Sequence, residues 1–132
     1  MCPLPVPDDR RYARTHMWAR SENNKDIRVG FTHVPCSTLG DVVFAELPPL
    51  GTDVRAGEPV GLVESSLAVF EVVAPVSGIV VNVNPLVEGA PEKITADPFE
   101  GGWLLEIRPS DPAELASLLT GQEYDRSFPW EE

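Results

Sequence analysis

The chain has 132 residues, 42% of them hydrophobic, which is typical of one folded domain and not of a disordered protein. Ten basic and twenty-one acidic residues give a formal net charge of −11, which would repel a phosphate backbone and argues against a nucleic-acid partner. No apolar run has the length of a membrane span, and the two cysteines suggest no disulfide framework, so we expect a cytoplasmic protein that does not bind membranes.

The two ends of the chain differ in composition from its middle. Residues 1–11 carry proline at every second position from 3 to 7 and are expected to form a flexible leader. A compact domain is expected over residues 12–124. The last segment, residues 125–132, is acidic and aromatic and is expected to form a tail.

Strand signals dominate the domain. Five runs rich in β-branched and aromatic residues predict strands over residues 27–34, 42–47, 60–64, 68–74 and 79–84. A last strand is predicted where Trp103, Leu105 and Ile107, expected to face the core, alternate with Leu104, Glu106 and Arg108 on the opposite face. The turn-rich segments 48–58 and 85–102 are expected to be loops.

Helix signals are fewer. The segment P-C-S-T-L-G, residues 35–40, has room for a turn or two of helix closed by Gly40. Nearer the C-terminus, Asp111 and Glu114 have the spacing of a capping box, and Gly121 is expected to end the helix that they begin. The fold class is therefore mainly β, with a C-terminal helix and a short additional helix.

The sequence contains no convincing catalytic or metal-binding pattern. His33 and Cys36 have the spacing of metal ligands, but only His16 and Cys2 remain to complete such a site, so no metal is expected. Cys36 is interpreted as a small buried thiol. Without a nucleophile–base pair or a glycine-rich phosphate loop, the chain is not expected to be an enzyme.

The hairpin over residues 63–78 raises a question, because its short turn contains a leucine, Leu67, where exposed turns normally carry small polar residues. The hairpin and its surroundings carry a set of short motifs: R-T-H-M-W at 14–18, L-G-D-V-V-F-A-E-L-P at 39–48, V-E-S at 63–65, A-P-V-S-G at 74–78, D-P-F at 97–99, G-W-L at 102–104, L-L at 118–119 and E-Y at 123–124. In this order, the motifs make the chain similar to the H protein of the glycine cleavage system, a family of small lipoyl carriers.

The resemblance implies a lipoyl-domain-like barrel-sandwich hybrid. In the family, a lysine at the hairpin tip carries lipoate, and the arm shuttles an aminomethyl group between a decarboxylase, an aminomethyltransferase and a dihydrolipoamide dehydrogenase. The motif places Leu67 at that lysine position, so no lipoate cofactor is expected. Met17 stands where the family has a glutamate that contacts the arm, Phe70 replaces a serine or threonine, and Glu71 keeps the acidic character expected there.

These replacements predict an apolar patch made of Met17, Leu67 and Phe70, beside Glu71. The hypothesis is a binding or scaffold protein that has lost the carrier function and docks onto glycine-cleavage or lipoate-handling enzymes, or onto a second copy of itself. The alternatives are a glycine cleavage H component and a covalent carrier with an atypical attachment residue, for which E-S-S-L at 64–67 faintly resembles a phosphopantetheine motif. Leu67 itself is either a partner contact or an internal plug of an obsolete cleft.

Overall fold

The computed structural model describes residues 6–22 and 25–128, without the side chain of Glu88. Within these residues, the strands are β1 Arg11–Tyr12, β2 Met17–Ser21, β3 Ile27–Phe31, β4 Val42–Glu46, β5 Asp53–Val54, β6 Pro59–Ser65, β7 Val69–Val73, β8 Gly78–Val83 and β9 Leu105–Pro109. They form two antiparallel sheets, one in the order β1-β2-β3-β9-β8-β5 and one in the order β4-β6-β7. The helices are α1 His33–Leu39, α2 Pro85–Gly89, α3 Lys93–Ala96, α4 Ala113–Ala116 and α5 Gly121–Ser127.

The main hydrophobic core takes side chains from both sheets. Val29, Phe31, Leu105 and Ile107 of the larger sheet and Val63 of the smaller one are at most 1% exposed. Two antiparallel sheets around one core, with short helices at the connections, fit a barrel-sandwich hybrid. The mainly β class expected from the sequence is therefore confirmed.

A second, smaller cluster surrounds Trp18, which is fully buried. Its indole Nε1 donates to the carbonyl oxygen of Pro98 at 2.9 Å. Gly30 lies directly opposite on β3, where a Cβ atom would approach the indole ring to 2.8 Å. The guanidinium of Arg10 packs 4.7 Å from the ring centroid on another side. Glycine is therefore required at position 30 by the space that Trp18 occupies.

Residues 6–11 pack on the domain, where the sequence analysis expected a flexible leader. Val6 and Arg10 are each 5% exposed. The Tyr12 hydroxyl donates to the carbonyl oxygen of Pro7 at 2.6 Å, which holds the segment against β1. Residues 1–5 of the expected leader lie outside the described residues, as do residues 129–132 of the expected tail.

The predicted C-terminal helix is two short helices instead. Glu114 does not close the expected capping box, because its carboxylate accepts hydrogen bonds from the Ser77 backbone N–H (2.7 Å) and hydroxyl (3.0 Å). Helix α4 ends at Ala116, and Leu119 then pairs with Tyr12 through two backbone hydrogen bonds of 2.8 Å. Gly121 begins α5 and does not end a helix, and α5 crosses the expected boundary at residue 124.

Thr120 and Glu123 explain where α5 begins. The Thr120 hydroxyl accepts from the Glu123 backbone N–H at 3.2 Å, and the Glu123 carboxylate accepts from the Thr120 N–H at 2.8 Å. This is a complete capping box. The T-x-x-E pattern was present in the sequence but was not recognised as the start of a helix.

Other boundaries also differ from the prediction. Strand β3 ends at Phe31, because Thr32 caps α1 by accepting a hydrogen bond from the Val34 N–H at 3.3 Å. Gly40 ends α1 with a φ of +67°, as its position in the sequence suggested. The two expected loops contain short elements, β5 in the first and α2 and α3 in the second. Trp103 is only partly buried, whereas Leu104, expected on the opposite face, is fully buried.

Candidate functional site

The tip of the β6–β7 hairpin is a tight turn organised by Ser65. The Ser65 backbone N–H donates to the carbonyl oxygen of Ala68 at 2.9 Å, which closes the turn. The Ser65 hydroxyl oxygen accepts from the backbone N–H groups of Leu67 and Ala68, both at 3.1 Å. Ser65 is only 6% exposed, so its hydroxyl is committed to the turn.

Leu67 projects from this turn into solvent. Its residue surface is 77% exposed, the highest fraction among the exposed large hydrophobic residues of ranges 6–22 and 25–128. Gly40, which follows α1, is close to it: a Cβ atom added at Gly40 would lie 3.6 Å from the Leu67 Cδ1. A side chain this exposed fills no cleft, so an internal plug is not what the structure describes, and a partner contact of Leu67 stays a prediction.

Met17 and Phe70 lie on the inner side of the fold. Met17 has no exposed area and is paired with Phe31 across β2 and β3. The rings of Phe31 and Phe70 are 6.4 Å apart in an edge arrangement, and Phe70 is partly buried against the core. Met17 and Phe70 are therefore linked through Phe31 and belong to the packing between the sheets.

The four residues singled out in the sequence do not form one surface. Glu71 is exposed on the outer face of β7, opposite to the side on which Phe70 packs. Met17 cannot contribute area to a patch, since it is completely buried. This differs from the expected patch of Met17, Leu67 and Phe70, because the apolar side chain of Met17 is drawn into the core instead of remaining at the surface.

The residues at the tip do not fit an amide-linked lipoyl group, since a leucine side chain has no amine to acylate. The chain has only two lysines, Lys25 and Lys93. Lys25 lies in the turn between β2 and β3, and Lys93 begins α3, so neither is on the hairpin. Ser66 is exposed beside Leu67 but lies in a hairpin turn, not at the start of a helix as in phosphopantetheine motifs.

A hydrogen-bonded group around Tyr124 was not identified as a unit from the sequence. The Tyr124 hydroxyl lies 2.7 Å from the Nδ1 of His16 and 2.8 Å from the Thr32 hydroxyl. Burial lowers the pKa of His16 and of His33, and burial raises the pKa of Tyr124 to about 12. With a neutral imidazole and a protonated phenol, this group ties α5 to the larger sheet. The E-Y motif at 123–124 was the available signal.

The cysteine thiol, the metal ligands and the membrane span considered in the sequence can each be examined in the structure. Cys36 is 8% exposed, and its Sγ donates to the carbonyl oxygen of Ile94 at 3.3 Å. Among the residues that the structure describes, no group of three or more His, Cys, Asp or Glu is arranged to hold a metal ion. Within the same residues, no helix is long and apolar enough to cross a membrane.

Comparison with known proteins gives consistent similarities over nearly the whole chain. A family profile described as Glycine cleavage H-protein matches residues 10–129. The chain is 46% identical over 121 residues to a glycine cleavage system H protein of Anaeromyxobacter sp. (strain K), covering 92% of this chain and 94% of the relative. It is 41% identical over 122 residues to a protein of that name from Bacillus subtilis (strain 168), with 92% and 95% covered.

The fold is similar to a solved structure as well. The crystal structure of a glycine cleavage system H protein from Mycobacterium marinum aligns with a TM-score of 0.83 and 38% sequence identity. The alignment covers 92% of this chain and 98% of that one. The barrel-sandwich hybrid expected from the sequence is thereby confirmed.

Proposed function

Because this chain belongs to the glycine cleavage H-protein family, we propose that it is an H-type component that docks onto glycine cleavage enzymes without carrying a lipoyl arm. The match over nearly full length supports the component role. The proposed absence of a lipoyl arm depends on a single observation. Leu67 is exposed at the hairpin tip, in the position where the family motif has the acceptor lysine.

Docking without an arm is physically coherent with the described fold. The two sheets, the hairpin and the turn organised by Ser65 are all formed, so the surface that surrounds the tip is present. What is lost is the covalent chemistry, since acylation needs a primary amine and a leucine offers only methyl groups. We propose no catalytic activity, because the partly buried His16 and the buried Tyr124 are engaged with each other.

The second candidate is an ordinary glycine cleavage H protein that carries lipoate. The identity of 39–46% to curated proteins of that name supports this alternative more strongly than it supports a protein that has left the system. Its chemistry requires an amine away from the hairpin tip, and the available side-chain amines are those of Lys25 and Lys93. A third reading, a covalent carrier that uses Ser66, lacks the helix start that such a motif requires.

Competition in a reconstituted glycine cleavage reaction separates these candidates. Purified decarboxylase, aminomethyltransferase and dihydrolipoamide dehydrogenase are supplied with a lipoylated H protein, and this chain is added in increasing excess. The proposal expects inhibition that additional lipoylated H protein relieves, and no turnover when this chain is the sole H component. Turnover by this chain alone, after incubation with lipoate and a lipoate ligase, would establish the second candidate. Absence of both inhibition and turnover would contradict the docking role.

A further inference from the structure

The outer face of the three-stranded sheet combines apolar and acidic side chains in a regular order. The strand register places Phe44, Glu64 and Val69 side by side across β4, β6 and β7. The next row on the same face contains Glu46, Leu62 and Glu71. Apolar and acidic residues therefore alternate both along and across the strands. We call this surface the acidic–apolar face; its members are Phe44, Glu46, Leu62, Glu64, Val69 and Glu71.

The opposite side of the same strands packs on the core. The row between the two outer rows contains Ala45, Val63 and Phe70, of which Val63 is fully buried and the other two pack against the core. On the outer side, Phe44 is 49% exposed and Val69 is 56% exposed. An aromatic ring and a valine exposed on the same face, one on each side of Glu64, provide apolar area that burial by a partner would stabilise.

A groove continues this surface beyond the end of β4. It has a volume of about 550 Å³, and its walls include Phe44, Leu47, Leu50 and Val83. Leu50 is 65% exposed. Phe44 belongs both to the groove and to the acidic–apolar face, so the two apolar areas are continuous. An extended segment lying on the face therefore has room for an apolar side chain at its end.

The charge of the face determines the chemistry of its partner. None of Glu46, Glu64 and Glu71 forms an ion pair within residues 6–22 and 25–128. Between positions 29 and 92 the sequence has eight acidic residues and one basic residue, Arg55. This half of the chain therefore accounts for seven of the eleven net negative charges. An approaching cation is attracted, whereas an approaching carboxylate is repelled.

We propose that the acidic–apolar face binds a partner segment in which lysine or arginine side chains alternate with apolar ones. This inference rests on the proposed docking function and identifies where on the chain, and by what chemistry, the docking occurs. The apolar side chains of the partner cover Phe44, Leu62 and Val69, and its cations pair with the three carboxylates. A second copy of the chain is the wrong occupant, since two such faces would bring six carboxylates together.

The test uses two charge variants that change the net charge by the same amount. The face variant is Glu46→Gln with Glu64→Gln and Glu71→Gln. The control variant is Asp53→Asn with Glu58→Gln and Glu92→Gln, three exposed acidic residues outside the face. A third variant, Val69→Thr, removes apolar character at an exposed position while keeping a residue suited to a strand. Thermal unfolding of each variant verifies that it is folded.

Each variant is tested with two kinds of probe. The first kind is the purified glycine cleavage decarboxylase and aminomethyltransferase, and the second is an eight-residue peptide of alternating lysine and leucine. Each exposed ion pair contributes a factor of about 1.5 to 5 in affinity, so the face variant should bind about tenfold more weakly. The control variant should change affinity less than about twofold, and Val69→Thr should weaken binding measurably. Amide chemical shifts induced by the peptide should map to β4, β6 and β7. Salt at about 0.5 M should weaken both complexes.

The two probes distinguish failure of the face from failure of the proposed function. Equal losses in the face and control variants, or peptide shifts that map elsewhere, would overturn the inference. If the enzymes bind the face variant as tightly as the unmodified chain, the inference fails while the docking function stands. If the enzymes do not bind but the peptide maps to the face, the docking function fails and the chemistry of the face stands. Binding of neither probe would overturn both.

Discussion

Replacing Leu67 with aspartate should leave the stability of the fold almost unchanged. Leu67 is 77% exposed, so only about a quarter of its surface is covered in the folded chain. Full burial of a leucine side chain contributes about 1.5–3 kcal/mol, and a quarter of that is about 0.4–0.7 kcal/mol. The backbone N–H of Leu67 keeps its hydrogen bond to Ser65 in the variant, because the side chain takes no part in it.

Equilibrium unfolding in urea measures this difference directly. The free energy of unfolding of Leu67→Asp should lie within about 0.7 kcal/mol of the unmodified protein, with the same dependence on urea. Met17→Ala is the contrasting variant, because Met17 is fully buried and its truncation should cost about 2–5 kcal/mol. Binding to the glycine cleavage enzymes should fall in Leu67→Asp if the leucine is a partner contact.

The result that refutes this reasoning is a large loss of stability in Leu67→Asp. A cost above about 1.5 kcal/mol would mean that the leucine is buried in solution, as fully covered leucines are. Leu67 would then be the internal plug of a cleft, and the contact reading would fail. If neither the free energy of unfolding nor the binding to the glycine cleavage enzymes changes, Leu67 contributes to neither, and the prediction that it contacts a partner is wrong.

Three further predictions concern the fold. Trp18→Ala should cost about 3–5 kcal/mol, whereas Trp103→Ala should cost about half as much because Trp103 is only partly buried; equal losses in thermal or urea unfolding would contradict this difference. Thr120→Ala removes the hydroxyl that caps α5 and should cost about 1 kcal/mol, with Thr120→Ser as the control that keeps the cap. Burial lowers the pKa of His16 and His33 from their ordinary value of 6.5, so the stability of the fold is full above that value and should fall as the pH drops through the lowered pKa values. His16→Asn, which tolerates the φ of +70° at that position, should make the free energy of unfolding depend less on pH. An unchanged pH dependence would mean that His16 is not its source.

Local pattern predicted most of the strands because each pattern depends on a few neighbouring residues. The runs around Val29, Val63 and Val80 have the β-branched character that a pleated, half-buried surface favours, and all three residues are buried in strands. The helix predicted after Asp111 was wrong in extent, because Glu114 bonds to Ser77, 37 residues away. No local spacing rule contains that contact.

The candidate site was only partly accessible from the sequence. The motif alone located Leu67 at the tip of a hairpin, and the structure describes a tight turn there. The depth of Met17 was not accessible, since a substitution in a motif does not indicate whether the new side chain turns into the core. The acidic–apolar face was missed because it depends on which residues of three strands are opposite one another, and Phe44 is distant in the chain from Glu64 and Val69.

We propose that this member of the glycine cleavage H-protein family carries no lipoyl arm because Leu67 replaces the acceptor. The most direct measurement is the intact mass of the full chain after co-expression with a lipoate ligase in the presence of lipoate. Leu67→Lys serves as the matched positive control, because it restores an amine on an exposed turn that the substitution does not disturb. We expect no lipoyl increment in the unmodified chain and an increment in Leu67→Lys. A lipoylated species of the unmodified chain would show that the loss of the lipoyl arm is wrong.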